Sequence, residues 1–396
     1  MSRPRFEVAD VFRRYGDAYC RRYAISPQQL AVLNLIQICR TSILGGHIEK
    51  CGDCGFEQPA YNSCRSRHCP KCQTLAKERW LADRRSELLP VGYFHVVFTL
   101  PHLLNPLILC NKKILLAILF ESVNEVLTAF ARDPQWRLRG RIGFIAMLHT
   151  WSQTLMDHFH LHCLIPAGVL SFDRTGWVHA RRKYLFRQES LAKAFRRVYL
   201  HKLQRAYDRG DLIFPGKAQA FGPPKAFRRL IGEAAGKKWV VYPKRSFGGP
   251  DKVLDYLGRY THRISISNHR ITGFDAGQVT FTYRDRGDNN RRKQMTLDAV
   301  AFIRRFLLHV LPEGFMKIRY YGYLSHRHRG KSVALIRTLI DPAGDFPTRT
   351  KESVEVIMQR LTGLDITCCP RCGKGRLRAM PLDRQPVAEA EKIDTS

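Results

Sequence analysis

Two pairs of cysteines constrain the N-terminal part of the chain more than any other feature. Cys51 and Cys54 form the first pair, Cys69 and Cys72 form the second, and fourteen residues (55–68) separate them. This spacing is close to that of sites in which four thiolates hold one Zn²⁺ ion in a tetrahedron. Four protein ligands leave no open position on the ion, so the sequence predicts a structural zinc site rather than a catalytic one.

The ligand set of this site stays open at the level of sequence. Cys64 and His68 lie between the two pairs, and either could replace one of the four cysteines. A second cluster at 368–372 contains one further C-x2-C pair, Cys369 and Cys372, with no cysteine or histidine after it. This pair either takes ligands from elsewhere, for instance His326 or His328, or binds no metal.

The charge of the chain points to a polyanionic partner. Lys and Arg number 66 against 34 Asp and Glu, which gives a formal net charge of +32. The basic residues are spread along the chain, as expected for a folded surface that follows a phosphate backbone. A ribosome-associated protein, or a surface that is merely basic, is the alternative explanation of the charge.

The apolar pattern predicts a protein of the cytoplasm without a membrane segment. The most apolar run, 103–120, is interrupted by Asn111, Lys112 and Lys113, whereas a spanning helix needs about 20 apolar residues. The first ten residues, MSRPRFEVAD, lack an apolar signal core. Thiols stay reduced in the cytoplasm, so the twelve cysteines indicate metal binding rather than disulfides.

Periodicity and turn residues predict an α+β fold. Helices are expected at 7–23, from Ser26-Pro27, and at 74–88, 105–131, 187–208, 250–260 and 297–310. Strands are expected at 93–100, 141–149, 158–170, 239–242, 263–284 and 316–324. We predict a helical zinc-binding, DNA-binding domain at 1–90, a second domain at 91–345, and a C-terminal helix, cysteine pair and disordered tail at 346–396.

Three histidines alternate with apolar residues at 158–162. If this segment is a strand, His158, His160 and His162 project from one face, while Phe159 and Leu161 point to the other. Two neighbouring imidazoles can hold a divalent ion and leave positions open for a phosphate oxygen. The third ligand is not determined, and His149, His158 or a residue of the 250–260 helix could provide it. Ordinary packing is the alternative interpretation.

Two tyrosines lie four residues apart in the predicted helix at 250–260. Tyr256 and Tyr260 would share one helix face, so both hydroxyls could enter one site. A phenol has a pKa near ~10, so its attack on a phosphodiester requires stabilisation of negative charge. A divalent metal ion, Arg259 and Arg263 could supply that stabilisation. The alternative is an aromatic pair in the core.

Taken together, these features resemble the HUH-type, two-tyrosine rolling-circle transposases of bacterial insertion sequences, the IS ninety-one type. The matching stretches follow the same order as in that family and cover most of residues 45–330. They are the zinc segment at 51–72, HVVFTLPHLLNPL (95–107), LHTWSQTLMDHFHLHCLIPAGVLS (148–171), YLGRYTHRISISNHRI (256–271) and RYYGYLSHRHR (319–329).

The resemblance implies a fold, a site and a reaction. It implies that 91–345 is the HUH transposase catalytic domain, an antiparallel endonuclease sheet flanked by helices. It also implies His160 and His162 as ligands of Mg²⁺ or Mn²⁺ and Tyr256 and Tyr260 as nucleophiles. The implied reaction nicks single-stranded DNA at the ends of a mobile element through a 5′-phosphotyrosine intermediate and rejoins it. The sequence contains no P-loop motif. The Gly232–Lys238 segment has glycines and lysines, but their spacing is wrong and no Ser or Thr follows the lysine. Host replication or a helicase is therefore expected to separate the strands near the nucleoid.

Two other functions fit parts of the pattern. A rolling-circle replication initiator or a conjugative relaxase would use the same chemistry, although the zinc segment beside YLGRYTHR favours a transposase. A non-catalytic zinc protein that binds single-stranded nucleic acid is the alternative from another class. In that protein Tyr256 and Tyr260 would be packing residues, and no covalent adduct with DNA would form.

Overall fold

The computed structural model describes residues 4–180, 185–247, 252–253, 258, 264–285, 287–349 and 351–382. The described helices are α1 (Val8–Arg22), α2 (Pro27–Gln37), α3 (Gln73–Arg85), α4 (Asn105–Cys110), α5 (Lys112–Arg132), α6 (Gln188–Asp208), α7 (Pro224–Gly236), α8 (Ala299–Leu307), α9 (Arg329–Ile340) and α10 (Val354–Thr362). The described strands are β1 (Gly46–Cys51), β2 (Glu57–Tyr61), β3 (Tyr93–Thr99), β4 (Gly140–Arg141), β5 (Gly143–Trp151), β6 (Asp157–Pro166), β7 (Gly168–Ser171), β8 (Trp177–His179), β9 (Val240–Phe247), β10 (Ile271–Asp275), β11 (Gln278–Asp285), β12 (Arg291–Asp298), β13 (Ile318–Gly322) and β14 (Leu377–Pro381).

A five-stranded antiparallel sheet of order β13-β5-β6-β3-β9 lies at the centre of the molecule. Along each strand the side chains point alternately to the two faces of the sheet, and both faces are largely buried. One face carries residues such as Phe98, Leu148 and Leu161, which share the largest apolar cluster with helices α5 and α6. The predicted mixture of helices with an antiparallel sheet is confirmed.

The second face of the central sheet is apolar at one end and carries histidines at the other. Ile145, Met147 and Leu164 belong to a separate buried cluster on this face. Further along the same strands, at the same alternation, lie His149 on β5 and His162 on β6. The fold therefore buries polar side chains at one end of a face that is otherwise apolar.

Helix α5 crosses the first face of the sheet and is unusually apolar. By length and composition alone it could cross a membrane. Leu115, Leu119 and Val123 are fully buried in the main core. Its apolar character therefore accompanies a central position in the core.

The first two helices pack against the segment after residue 264. The ring of Phe12 on α1 contacts that of Phe306 on α8 edge-on, with centroids 5.2 Å apart. The Gln29 side-chain amide donates a hydrogen bond to the Leu307 carbonyl at 2.9 Å. Phe12, Phe306 and Leu307 belong to one buried cluster with residues of β10 and β11. The predicted domain boundaries at 90/91 and 345/346 remain predictions.

Helix α3 connects the N-terminal cysteines to the central sheet. The Trp80 indole N–H and the Arg84 guanidinium both donate to the Tyr320 hydroxyl on β13, at 3.0 and 2.5 Å. The N-cap residue of α3 is Cys72. The position of this helix is thus fixed at its start by the cysteine-rich loop and along its length by an edge strand.

The C-terminal segment returns to the N-terminal part of the chain. Strand β14 pairs antiparallel with β1, with Cys51 opposite Leu377, in a small sheet of order β14-β1-β2. Helix α10 lies on α3, where Arg360 contacts the buried Glu78 at 3.1 Å. Sequence analysis had predicted neither this small sheet nor the return of the chain.

Candidate active site and metal centres

Strand β6 carries the histidines because its two faces differ in polarity. Phe159 and Leu161 are at most 1% exposed and fill the main core. A strand that buries these two residues must present His158, His160 and His162 on its opposite face, because side chains alternate. The predicted strand at 158–170 is present as β6 and β7.

Three imidazoles converge on this face. His149 on β5 pairs directly with His160 across the strands. Ring nitrogens of His149, His160 and His162 all lie within 4.8 Å of one another, and all three residues are buried. Three neutral imidazoles in this arrangement suit a divalent transition-metal ion and leave other positions open. The donor set therefore fits a catalytic metal ion.

Hydrogen bonds of the Nδ1 atoms orient two of these rings. His160 Nδ1 lies 2.8 Å from the His158 carbonyl oxygen, which can only accept, so this nitrogen is the protonated one in the neutral ring. The lone pair then belongs to His160 Nε2. His162 Nδ1 lies 2.9 Å from Nε2 of His95 on β3. If His162 donates in this pair, its Nε2 is likewise the metal-binding atom.

His95 is a site residue that sequence analysis missed. It is 3% exposed, and its ring stacks on that of His162 with centroids 5.1 Å apart. Val97 pairs with His162, and His95 lies two residues before Val97 on the same face of β3, which brings its ring beside that of His162. The position of His95 in the apolar run at 93–100 was visible in the sequence, but its partner was not. Finding that partner required the register between two strands, which no local pattern provides.

A cleft of about 370 Å³ opens above the three histidines. Its walls combine aromatic and basic side chains, among them Trp151, Tyr283 and Arg284. Arg270 also lines the cleft, and its guanidinium donates to the backbone carbonyls of Thr282 and Gln153 at 2.8 and 2.5 Å. Aromatic faces beside fixed positive charge are typical of surfaces that hold single-stranded nucleic acid.

Two half-buried titratable groups, Asp157 and Lys112, influence each other near this cleft. Burial raises the pKa of Asp157, which lines the cleft, while nearby Lys112 partly offsets that rise. Burial lowers the pKa of Lys112 to about 8. Its ammonium group donates to the carbonyls of Leu308 and Val310 at 2.7 and 3.1 Å. This lysine thus joins the start of α5 to the segment after α8.

Of the other candidate ligands for the catalytic metal, His149 joins His160 and His162, whereas His158 does not belong to this group among the described residues. The His158 ring instead lies between those of His160 and His102, with centroid distances of 4.6 and 5.3 Å. Its contribution to the site is its backbone carbonyl.

The predicted nucleophiles lie outside the described residues. This holds for Tyr256, Tyr260, Arg259 and Arg263. Among the described residues around them, Val253 and Gly258 are helical, and Ile264 directly follows Arg263. Val253 is fully buried in the apolar cluster of the histidine face, together with Met147 and Leu164. Val253, three residues before Tyr256, therefore packs on the face of the sheet that carries the histidines.

The cysteines form two clusters. Cys39, Cys64, Cys69 and Cys72 are the first cluster, and their sulfur atoms lie within 4.8 Å of one another. The sulfur of Cys72 is 3.5 Å from that of Cys39 and 3.6 Å from that of Cys64. A tetrahedron with Zn–S bonds of about 2.3 Å has edges of about 3.8 Å, so this set fits a structural zinc ion.

The predicted grouping of Cys51 and Cys54 with Cys69 and Cys72 in a single site is wrong. Cys51 and Cys54 instead lie within 4.8 Å of Cys369 and Cys372, which together form the second cluster. The physical reason is that Cys39, at the end of α2, and Cys64 complete the first set locally. Strand β14 meanwhile carries the C-terminal pair to β1.

The histidines considered as zinc ligands lie elsewhere. Neither cluster includes His68 among the described residues, and burial lowers the pKa of this histidine to about 3. His326 lies against the Tyr320 ring at 4.6 Å. His328 is the N-cap residue of α9 and lines a separate pocket. The C-terminal pair thus has cysteine neighbours rather than the histidines that the sequence suggested.

Comparison with known proteins assigns the chain to a family. Residues 143–332 match a family described as "Putative transposase", and residues 11–100 match a family described as "Transposase zinc-binding domain". A protein of Sinorhizobium fredii (strain NBRC 101917 / NGR234), described as "Putative transposase y4qJ", is 44% identical over 380 residues, 95% of each chain. The "Transposase for insertion sequence element IS801" of Pseudomonas savastanoi pv. phaseolicola is 30% identical over 347 residues, 85% of this chain and 79% of that protein. No solved structure matches.

These similarities define a transposase, an enzyme class that cleaves DNA and transfers its strands. The chain belongs to the IS ninety-one family of insertion-sequence transposases, whose zinc-binding domain it carries in its N-terminal part. The resemblance in the sequence is thereby confirmed. The matched zinc-binding region contains the whole first cluster but only half of the second.

Proposed function

We propose that this transposase nicks and rejoins single-stranded DNA at the ends of a mobile element, in rolling-circle transposition through a 5′-phosphotyrosine intermediate. The observation that carries this proposal is the group of three buried imidazoles, His149, His160 and His162, beneath a cleft with basic and aromatic walls. Val253, three residues before Tyr256, packs on the same sheet face.

The metal ion would be held by His160 and His162, with His149 as the third ligand. A bound Mg²⁺ or Mn²⁺ would polarise the scissile phosphate as a Lewis acid. His95 and the His158 carbonyl would keep two of the rings in the required orientation and tautomer. The three imidazoles are buried and held in place by the strands, so the metal ligands would need little rearrangement when DNA binds.

The bond changes follow from the chemistry of a phenol. A tyrosine oxygen attacks the phosphorus atom and loses its proton, and a new ester bond to the 5′-phosphate forms. The bond from phosphorus to the 3′-oxygen breaks, and that oxygen takes up a proton. The number of phosphoester bonds does not change, so a later attack by a 3′-hydroxyl can rejoin the strand without a nucleotide cofactor. Tyr256 and Tyr260 would each carry out one such cleavage.

The DNA strand would lie in the cleft. Trp151 and Tyr283 offer faces on which bases can stack, and Arg270 and Arg284 offer positive charge to phosphates. Arg259 and Arg263 would add contacts from the tyrosine segment. We place the reaction at the bacterial nucleoid, with host replication or a helicase separating the strands.

A covalent adduct is the direct test. The protein is incubated with end-labelled single-stranded DNA from the element's ends and Mn²⁺, and the products are separated under denaturing conditions. We expect the label to move with the protein only when it lies 3′ of the nick, because the 5′-phosphate becomes attached. Duplex DNA of the same sequence should give far less adduct. Adduct with the label 5′ of the nick, or none with either label, would contradict the proposal.

Manganese is expected to support cleavage at lower concentrations than magnesium. Imidazole nitrogen is a poor ligand for Mg²⁺, which prefers oxygen, whereas Mn²⁺ accepts both. Titrating each ion and measuring the rate of adduct formation tests this preference. Equal half-saturating concentrations would indicate that oxygen ligands, rather than the three histidines, dominate the site.

Replacing His95 by alanine is expected to weaken metal-dependent cleavage by about 10–100-fold. The substitution removes the partner of His162 Nδ1 and leaves that ring free to turn. The expected effect is a higher Mn²⁺ requirement, measured by titrating the ion in the cleavage assay. His95→Gln, whose amide oxygen can accept from His162, should recover part of the loss. The exposed His201→Ala on α6 is the control, and equal Mn²⁺ requirements in His95→Ala and wild type would refute a positioning role.

A further inference from the structure

We propose that Cys51, Cys54, Cys369 and Cys372 bind a second structural Zn²⁺ ion, which joins the C-terminal segment to the N-terminal sheet. The first cluster, formed by Cys39, Cys64, Cys69 and Cys72, would hold a separate ion. The protein would then contain two zinc ions per chain. Two of the four ligands of the second ion, Cys369 and Cys372, lie outside the matched zinc-binding domain. This proposal does not depend on the cleavage mechanism.

The sulfur atoms of the second cluster have the separations of a tetrathiolate site. Cys51 and Cys372 are 3.8 Å apart, and Cys54 and Cys369 are 3.7 Å apart. The edge of a zinc–sulfur tetrahedron is about 3.8 Å. A disulfide would instead need a separation of about 2.05 Å. Thiols that meet in two opposing pairs at this distance fit one shared ion.

The backbone around the two pairs is alike. Each C-x2-C pair is followed at once by a glycine with positive φ, +65° at Gly55 and +68° at Gly373. The Cys51 N–H donates to the Phe56 carbonyl, and the Cys369 N–H donates to the Gly375 carbonyl, both at 2.8 Å. Two similar turns thus face each other and present their sulfur atoms to one point, as zinc knuckles do.

Gly375 shows that the space around the sulfur atoms is shaped by the backbone. Its N–H donates to the sulfur of Cys372 at 3.3 Å, which favours a thiolate there. A side chain at Gly375 would collide with the sulfur of Cys51. The residue that follows the C-terminal turn is therefore one that lets the two strands approach closely enough to share a metal ion.

The second ion would stabilise contacts that the C-terminal segment makes with the rest of the protein. Strand β14 pairs with β1 immediately beside the cluster. Further back along the chain, Arg360 and Arg349 contact Glu78 and Asp83 of α3, at 3.1 and 2.7 Å. The partly exposed ion pairs contribute little alone. Metal binding that requires both halves of the site adds its free energy to the docking of this segment.

Exposure distinguishes the two sites. Cys54 of the second cluster is exposed, whereas no member of the first cluster is. A chelator in solution should reach the second ion more easily. We therefore expect zinc loss in two phases when the reduced protein is treated with a chelator, with the second site emptied first.

Counting zinc in variants of the full chain tests the proposal. The reduced, dialysed protein is analysed for zinc per chain by elemental analysis and by native mass spectrometry. We expect two ions in the wild type, one in Cys369→Ser/Cys372→Ser, and one in Cys39→Ser/Cys64→Ser. Cys368→Ser is the matched control, because Cys368 is adjacent to the cluster but belongs to neither group, and it should keep both ions. One ion in the wild type, or two in Cys369→Ser/Cys372→Ser, would overturn the proposal.

A conservative variant separates metal binding from misfolding. Cys372→His retains a residue that binds zinc and should keep two ions, whereas Cys372→Ser should lose one. In Cys372→Ser we also expect trypsin to cut rapidly near Arg376 and Arg378, which lie on or beside β14, while α1 and α8 stay protected. Loss of both zinc ions from Cys372→Ser, or resistance of the β14 region equal to that of wild type, would argue against a site that fastens this segment.

Discussion

Replacing both Tyr256 and Tyr260 by phenylalanine is expected to abolish the covalent protein–DNA adduct completely. Phenylalanine lacks the oxygen that attacks phosphorus but keeps the aromatic ring, so the substitution removes only the hydroxyl group. Binding of single-stranded end DNA should persist, because the basic walls of the cleft are unchanged. Adduct formation is measured on denaturing gels, and binding is measured separately by fluorescence anisotropy.

Single substitutions and a tyrosine of the cleft wall complete this experiment. Tyr256→Phe and Tyr260→Phe should each leave one nucleophile, so each should still form adduct on one of the element's two ends or at a reduced rate. Tyr283→Phe is the matched control, because Tyr283 lines the same cleft from β11 and the substitution likewise removes one phenol hydroxyl. Persistent adduct in the double variant, or its loss in Tyr283→Phe, would move the nucleophile elsewhere and sink the proposed mechanism.

Replacing His160 or His162 by alanine is expected to slow metal-dependent cleavage by on the order of 10³-fold. Lewis-acid stabilisation of a phosphoryl oxygen contributes several kcal/mol, and each ~1.4 kcal/mol corresponds to tenfold in rate. Loss of one of three imidazoles removes most of the ion's affinity, and His149→Ala should show a similar loss. The measurement is the single-turnover rate of strand cleavage at saturating DNA over a range of Mn²⁺ concentrations.

His158→Ala is the control for the histidine experiment. Its side chain lies beside His160, but its backbone carbonyl, which orients His160, survives the substitution. We expect a rate within a few-fold of wild type. Zinc content and DNA binding should be unchanged in all of these variants, which separates loss of the catalytic ion from loss of the fold. A rate for His160→Ala equal to that of His158→Ala would rule out the proposed ligand set.

Local patterns were sufficient to predict the strand that carries the site. The alternation of Phe159 and Leu161 with histidines determines both the strand and the face, because two buried apolar residues leave the intervening side chains only one direction. The helix cap at Ser26 could also be predicted from the sequence, and the Ser26 side chain accepts a hydrogen bond from the Gln29 N–H. Such features depend on residues within one turn or one strand.

The partners of those residues on other strands were not predictable in the same way. His149 was one of several candidates because only the register of β5 against β6 places it opposite His160. His95 was overlooked for the same reason. In a similar way, the predicted helix at 105–131 divides at Asn111, whose buried amide bonds both the N–H and the carbonyl of Ile213 at 2.8 Å. None of these pairings has a trace within the local sequence.

The cysteines show how a correct pattern can lead to a wrong assignment. The spacing of the two N-terminal pairs fits one zinc site, yet each pair is completed by cysteines outside it. One signal did separate them. Cys54 and Cys372 are each followed by glycine, whereas Cys72 is followed by Gln73, the first residue of α3. Similar turns, rather than proximity along the chain, identified the true partners.

The pairing of β14 with β1 also has a consequence for the order in which the protein is made. Cys54 and Cys369 are 315 residues apart. A ribosome adds about 5–20 residues per second, so roughly 15–60 s pass between the synthesis of the Cys51–Cys54 turn and that of the Cys369–Cys372 turn. During that interval one edge of β1 lacks its partner strand, and α3 lacks its contacts with α10. A nascent chain that is cut short before Cys369 cannot complete this sheet. Strand β14 thus completes, long after β1 and β2 have been synthesised, a sheet that those two strands begin.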